Sequence, residues 1–182
     1  MSTGIDVDRL PPSDADDDAA MSAISELINR VYRVAEEGLW LDGTARTTPA
    51  EVASLTRTGE IVVARVAGRL VGCVQVRTLG DGLGEFGMLV SAPEHRATGI
   101  GRELVRFAEE QAGRAVMQLE LLVPREWSHP SKEFLAGWYG RLGYRPARVG
   151  TVEESHPGLA PLLATPCDVR IYHKDLREYL DR

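Results

Sequence analysis

The spacing of apolar residues along the chain alternates between two periods. Three- and four-residue spacings, typical of helices that bury one face, occur in four segments. Alternating or β-branched runs, typical of strands, occur in six others, and glycines or prolines separate most of them. The predicted helices span 20–35, 49–57, 100–112 and 131–142, and the predicted strands span 5–10, 61–66, 70–76, 84–90, 116–123 and 168–173.

Several residues mark where the predicted helices begin and end. Thr48 before Pro49, with Glu51 three residues after Thr48, has the pattern of a capping box with proline at the first helical position. Ser13 or Asp14 is the predicted cap of the first helix. Three helices are expected to stop at a glycine, and these glycines are Gly38, Gly113 and Gly143.

The order of the segments indicates a mixed α/β fold. The second and third strands are separated only by a glycine turn and form a predicted hairpin, whereas the strands 84–90 and 116–123 are connected through a helix. Such an arrangement is typical of a mixed sheet. The segment 144–167 contains four prolines and is expected to be irregular. A single domain over 1–182, flexible at 1–4, is the predicted organisation.

Composition narrows the class of protein. Hydrophobic residues make up 43% and charged residues 26% of the 182 positions, as in folded globular proteins. We expect no membrane association, since no apolar run could span a bilayer and no signal peptide pattern is present, and we expect a cytoplasmic location. Six aspartates and Arg9 give residues 1–20 a net charge of −5, leaving −1 for the rest. A nearly neutral body argues against nucleic acid as a partner.

Cysteine and histidine spacing argues against metal and disulfide chemistry. Cys73 and Cys167 lie far apart, and the four histidines are scattered, so that no short-spaced ligand pair exists. We therefore expect no metal and reduced thiols. Neither cysteine has a neighbouring base, so neither is expected to act as a covalent nucleophile.

The most informative segment is the strand–turn–helix over 90–104. A glycine turn that opens a helix brings several backbone N–H groups together, where a phosphate can bind. The turn could equally be structural. A dinucleotide fingerprint would need glycine at Leu104, and a P-loop would need lysine at Arg102, so both of these motifs are excluded. The nucleophile elbow of hydrolases and the zinc-protease motif are also absent.

Two motifs together resemble the GNAT superfamily of acyl-CoA-dependent N-acyltransferases. Arg96-x-x-Gly99-x-Gly101 follows the strand 85–90, and the aromatic helix end 138–144 lies about forty residues further on. The resemblance implies a mostly antiparallel twisted sheet of six or seven strands flanked by about four helices. It also implies that the fourth and fifth strands splay apart.

The same resemblance implies which groups bind acetyl-CoA. In this family the amides of the glycine turn hold the pyrophosphate, and the strand before it binds the pantetheine arm. The Leu89 N–H would face the thioester carbonyl, where a donor stabilises the oxyanion. The residues concerned are Met88, Leu89, Val90, Arg96, Ala97, Thr98, Gly99, Ile100, Gly101 and Arg102.

Proton transfer requires two further groups. An alkylamine must lose a proton before it attacks, and Glu85 matches the position of a family glutamate that accepts it through water. Tyr139 matches the family tyrosine that protonates the departing thiolate. The alternatives are that Glu85 is an ordinary exposed strand residue and that Tyr139 is a packing aromatic.

The chain departs from the family pattern on the side expected to bind the acceptor. Lys132 replaces a frequent asparagine and is a candidate contact to the cofactor. The loop 124–130 is longer than usual, and Trp127 and His129 on it are candidate contacts to the acceptor, as is Trp40. Acidic residues near Trp40 suit a small cationic amine, but a protein amine is equally allowed; they are Glu36, Glu37 and Asp42.

The predicted function is transfer of an acetyl group from acetyl-CoA to a primary amine by direct attack in a ternary complex. An alternative is a non-catalytic acyl-CoA-binding or sensing module, and a third is a purely structural interaction domain. A small-molecule or protein amine is the expected partner, and a homodimer is possible.

Overall fold

The computed structural model describes residues 4–113 and 115–177, so the predicted flexible start lies, except for Gly4, outside the described residues. Its strands are β1 Ile5–Arg9, β2 Ile61–Val66, β3 Arg69–Thr78, β4 Leu83–Ser91, β5 Val116–Pro124, β6 Arg145–Thr151 and β7 Cys167–Asp175. Its α-helices are α1 Asp18–Ala35, α2 Pro49–Arg57, α3 Ile100–Ala112, α4 Pro130–Arg141 and α5 Val152–Ser155.

The seven strands form one sheet in the order β1-β2-β3-β4-β5-β7-β6. All neighbours are antiparallel except β4 and β5, which pair only where Leu83–Glu85 meet Val116–Gln118. Beyond Glu85 the two strands are no longer paired, while β5 continues to pair along its full length with β7. The mostly antiparallel sheet with a gap between the fourth and fifth strands is therefore confirmed.

Helix boundaries follow local capping. Thr48 caps α2 by accepting the Glu51 N–H at 3.1 Å, as predicted. The predicted cap of α1 is wrong, because residues 12–16 form a short 3-10 helix and Asp17 accepts the Ala20 N–H instead. The helix also ends before Gly38, at Glu36.

Strand β6 is missing from the sequence-based expectation, which treated 144–167 as irregular. It is an edge strand that pairs only with β7, and its first five residues are exposed. Pro146 lies within it, as edge strands allow. With one face and one edge in solvent, its sequence lacks the apolar alternation by which strands are recognised.

Both faces of the central strands are covered. Ile61–Ala64 of β2 are all buried, and successive strand residues point to opposite faces. Gly72 on β3 faces α3, where an added Cβ would come within 3.0 Å of Ile100 and Leu104. The absence of a side chain at Gly72 lets α3 lie close against the sheet. No helix within 4–113 and 115–177 is long and apolar enough to cross a membrane.

Candidate active site

A backbone irregularity widens the gap between β4 and β5. On β3 and β4, Cys73 pairs with Val90 and Gln75 with Gly87, so one residue of β3 opposes two of β4. This is a β-bulge, and within it Met88 adopts a positive φ of 47°, which is unusual for a residue with a side chain. Leu89 follows and borders a cavity of about 750 Å³ that opens along the gap.

The glycine turn leads into α3 as predicted. Ala97 has φ 61° and Gly99 φ 92°, and Gly99 is the N-cap of α3 without any side-chain hydrogen bond. The first hydrogen bond of the helix is Glu103 N–H to Gly99 at 3.0 Å. Within the described residues, no acceptor meets the N–H groups of Ala97, Gly99, Ile100, Gly101 and Arg102. The exposed turn therefore offers several backbone donors at the positive end of a helix.

Tyr139 lies at the cavity and is enclosed by other rings. It is 7% exposed, and its ring centroid lies 6.0 Å from that of Phe86 and 5.1 Å from that of Trp138. Burial raises its pKa far above that of a free phenol, so its hydroxyl stays protonated at neutral pH. Tyr144, expected to pack, is 1% exposed and its hydroxyl donates to Glu109 at 2.8 Å.

Glu85 is buried rather than exposed. Arg77 donates two hydrogen bonds to its Oε1, at 2.8 and 2.5 Å, and Gln118 donates one to Oε2 at 2.7 Å. The amide oxygen of Gln118 in turn lies 2.9 Å from Nε2 of His173. A carboxylate has about four acceptor positions, so this network leaves about one, on Oε2, for a water or ligand.

A pair of a carboxylate and a histidine at the cavity was not predicted from the sequence. Glu120 Oε2 lies 2.8 Å from His156 Nε2, and Ser155 donates to Oε1 at 3.1 Å. The His156 hydrogen bond, opposed by partial burial, holds the pKa of Glu120 below its usual value. These residues lie 36 positions apart, and only the turn after β6 brings them together.

Lys132 is paired within the protein. Its Nζ lies 2.6 Å from Glu36 Oε1, and Trp40 Nε1 donates to Glu36 Oε2, also at 2.6 Å. Lys132 and Glu36 are 4% and 7% exposed. All three residues line the cavity, and the Glu36 carboxylate is already occupied by two donors. The sequence analysis expected Glu36 to attract a cationic amine. Because its carboxylate is already paired, Glu36 contributes less to such binding.

Trp127 and His129 border neither this cavity nor the adjoining one of about 580 Å³. The loop folds against the connection after α1, so that Trp127 packs over Gly38 and donates to Thr165 at 3.1 Å. Nε2 of the buried His129 lies 3.1 Å from the Glu37 carbonyl. Both side chains therefore lie outside the two cavities, although Trp127 is 40% exposed, and their role as acceptor contacts stays a prediction.

The cysteines are buried and unpaired. Burial raises the pKa of the Cys73 thiol to about 12 and that of Cys167 to about 11. Thiols with such values are poor nucleophiles at neutral pH. Over 4–113 and 115–177, no group of three or more potential metal ligands comes together.

Two structural units meet at the cavity. The first, here called the turn side, is the continuous segment 83–112 that contains β4, the glycine turn and α3, and its residues 85–89 line the cavity. The second, here called the loop side, consists of 36–48 between α1 and α2 and 152–159 after β6. The molecule thus combines a splayed sheet with a bulge, a glycine turn with free backbone donors and a buried tyrosine at the cavity.

Comparison with known proteins finds one matching family model. Residues 57–146 match the family model described as "Acetyltransferase (GNAT) domain". No curated protein matches the sequence significantly. The resemblance to the GNAT superfamily of acyl-CoA-dependent acyltransferases is therefore confirmed over residues 57–146.

Solved structures share the fold at low sequence identity. A spermidine N-acetyltransferase chimera from Vibrio cholerae and hSSAT superposes with a TM-score of 0.66 and 17% identity, covering 98% of this chain and 99% of that one. The ribosomal-protein-S18-alanine N-acetyltransferase from Escherichia coli matches at TM-score 0.61 and 15% identity, covering 94% and 93%.

A longer protein also contains this fold. The N-acetylglutamate synthase from Neisseria gonorrhoeae, complexed with coenzyme A and N-acetyl-glutamate, matches at TM-score 0.64 and 16% identity. The match covers 95% of this chain but only 35% of the synthase, so this chain corresponds to about a third of that protein's length.

Proposed function

We propose that the protein transfers the acetyl group of acetyl-CoA to a primary amine by direct attack within a ternary complex. The observation that carries this proposal is one cavity bordered by Tyr139 and by Glu85 and Leu89, two residues of the strand that leads into the glycine turn at the start of α3. The donor and the acceptor can meet there without a covalent enzyme intermediate, because both thiols are buried and strongly protonated.

The turn side would bind acetyl-CoA through its backbone. Within 96–101, the N–H groups of Ala97, Gly99, Ile100 and Gly101 have no acceptor among the described residues and suit the pyrophosphate, whereas those of Arg96 and Thr98 donate to the Pro93 and His95 carbonyls. Arg102 is placed one residue further to add a charge-assisted contact. Strand β4 beyond Glu85 has a free edge toward β5, so backbone groups of Met88–Val90 are available to the pantetheine amides. Lys132 stays a predicted cofactor contact, although its ammonium is already paired with Glu36.

The Leu89 N–H would stabilise the oxyanion when the amine attacks the thioester carbonyl. In this step the C–N bond forms and one proton leaves the nitrogen; the C–S bond then breaks and the thiolate takes a proton. Tyr139 would supply that proton. Its raised pKa keeps the phenol protonated until the thiolate departs.

Glu85 would accept the amine proton through a water molecule. The free acceptor position on Oε2 is where such a water would bind, and Arg77 and Gln118 would hold the carboxylate in place. The pair Glu120–His156 borders the same cavity on the loop side and would face the incoming ammonium group.

The acceptor would enter from the loop side, where Trp40 lines the cavity. The structures compared above include enzymes named for spermidine and for the alanine of a ribosomal protein, so the fold accommodates small-molecule and protein amines. For this chain a small amine is favoured by the enclosed cavity, and an assembly as a homodimer stays a prediction.

Two measurements test the proposal. Calorimetric titration with acetyl-CoA should show saturable binding, and a panel of amines assayed for CoA release should contain at least one substrate. Binding without turnover on any amine would support the acyl-CoA-binding module instead. Absence of binding would contradict both and leave the structural interaction domain.

A further inference from the structure

Arg46 is a cation held at the cavity without an acidic partner. It is half-buried, lines both cavities, and no described carboxylate lies within ion-pair distance of its guanidinium. Two of the acids that line the cavities with it are engaged elsewhere: Glu36 is bound by Lys132 and Trp40, and Glu51 accepts a hydrogen bond from Thr47 at 2.8 Å. Glu37 and Asp42 also line the second cavity, and neither forms an ion pair with Arg46.

The protein holds this residue in a fixed place. The side chain of Asn29 on α1 accepts the backbone N–H groups of Arg46 and Thr47 at 2.8 and 3.1 Å and donates to the Thr47 carbonyl at 2.9 Å. The guanidinium lies 5.2 Å from the ring centroid of Tyr32. Three backbone contacts and one ring contact therefore position a side chain that would otherwise be mobile in a loop.

Tyr32 adds a second donor at the same place. Burial raises its pKa to about 12, despite the opposing effect of the Arg46 guanidinium, so the phenol is protonated at neutral pH. Tyr32 also lines both cavities. A planar guanidinium beside a phenol hydroxyl is suited to a carboxylate, which accepts two parallel hydrogen bonds from arginine.

Hydrogen-bond acceptors lie elsewhere in the same cavity, on Glu85 and Glu120. Both carboxylates already accept hydrogen bonds from neighbouring side chains, but about one acceptor position stays free on Glu85 and about two on Glu120. An ammonium group could donate to these positions while a carboxylate accepts from Arg46. This arrangement fits a molecule that has an amino group and an acidic group.

We propose that Arg46, with Tyr32, forms a subsite for a carboxylate, and that the acceptor is therefore a small amino acid rather than a simple amine. This inference rests on the proposed function, since it names the substrate class of the same cavity. A guanidinium fixed in a cavity of about 750 Å³ favours a small molecule over a polypeptide.

The test compares matched acceptors. Each amino acid in the panel is assayed for CoA release beside its carboxamide and its decarboxylated amine. Removing the carboxylate should lower kcat/KM by about 10- to 100-fold, as expected for a charge-assisted hydrogen bond. Arg46→Gln should raise KM for the amino acid by a similar factor with little change in kcat. The KM of Arg46→Lys should lie between that of the unchanged protein and that of Arg46→Gln.

Arg69→Gln is the matched control, because it removes the same charge from an exposed position on β3 that borders neither cavity. It should leave KM unchanged. The proposal is overturned if the carboxamides or decarboxylated amines are used as well as the amino acids, or if Arg46→Gln behaves as Arg69→Gln does.

A binding experiment separates this proposal from the transfer reaction. N-acetylated amino acids and their carboxamides are titrated by calorimetry into the protein saturated with CoA. Arg46-dependent binding of the acids alone would support the subsite even if no amine is acetylated. If no acceptor turns over and no N-acetylated acid binds in an Arg46-dependent manner, the subsite is rejected.

Discussion

The turn side and the loop side of the cavity are built in different ways. The turn side is one continuous segment whose proposed binding groups are backbone amides, beside a bulge at Met88 and a glycine at the N-cap of α3. The loop side depends on side chains from distant parts of the chain, such as Glu36 with Lys132 and Glu120 with His156. Backbone sites depend on local conformation, whereas side-chain sites depend on correct tertiary pairing.

The largest expected effect is a loss of stability on the loop side. Lys132→Met leaves the buried Glu36 carboxylate without its counter-ion, and this should lower the free energy of unfolding by about 3–5 kcal/mol. Chemical denaturation measures the loss. Adding Glu36→Gln to Lys132→Met should restore most of it. Arg106→Met, which breaks only exposed ion pairs, should cost less than about 1 kcal/mol.

A large effect on turnover is expected at the gap between the two sides. Tyr139→Phe removes the proposed proton donor while keeping the ring packed on Phe86, so kcat should fall by about 100-fold or more. The KM for acetyl-CoA should change little. Tyr172→Phe, at a buried position on β7, is the control and should retain activity. Full activity of Tyr139→Phe across the pH range would exclude its role as an acid.

A moderate effect is expected on the turn side. Gly99→Ala places a Cβ on a residue with φ 92°, which strains the turn by about 1–2 kcal/mol and displaces its amides. Affinity for acetyl-CoA, measured by calorimetry, should fall about tenfold. Gly68→Ala, at φ 75° in the turn between β2 and β3, should cost similar stability without loss of affinity. Equal affinities for the two variants would argue against the amide site.

The smallest effect concerns the Glu120–His156 pair. Because the pKa of Glu120 is lowered in the folded protein, the interaction stabilises above the ordinary glutamate pKa of about 4.3 and is lost as pH falls below it. Glu120→Gln should therefore cost up to about 1 kcal/mol at pH 6, and the cost should shrink progressively as the pH falls below the ordinary glutamate pKa. Urea denaturation at several pH values measures this, with the exposed Glu153→Gln as control. A constant difference across this range would contradict the assignment.

The turn side was accessible from sequence because its signals are local. Gly99 and Gly101 after a strand predict a turn with free amides, and α3 was placed at its observed bounds from apolar spacing and Gly113. Strand β6 was missed because an exposed edge strand needs no apolar alternation. The cap of α1 was misplaced because two prolines and a short 3-10 helix precede it.

The loop side could not be predicted in the same way. Trp127 and His129 looked like ligand contacts because they are aromatic and ionisable residues on a loop, yet they pack against Gly38 and the Glu37 carbonyl. Nothing in the residues near Glu36 indicates Lys132, which lies 96 positions away. Side-chain pairs of this kind leave no periodic signal in a single sequence.

The amino-acid sequence alone determined the main strands and helices and the glycine turn before α3, because apolar periodicity and glycine conformations act over a few neighbouring residues, and its two motifs carried the resemblance to the family. Tertiary structure decided which charges neutralise one another. It pairs Lys132 with Glu36, Glu85 with Arg77 and Glu120 with His156. Among the described residues it leaves Arg46 without a carboxylate partner. The physical reason is that charge pairing depends on distances of a few ångströms, and only the folded chain sets those distances between residues far apart in sequence.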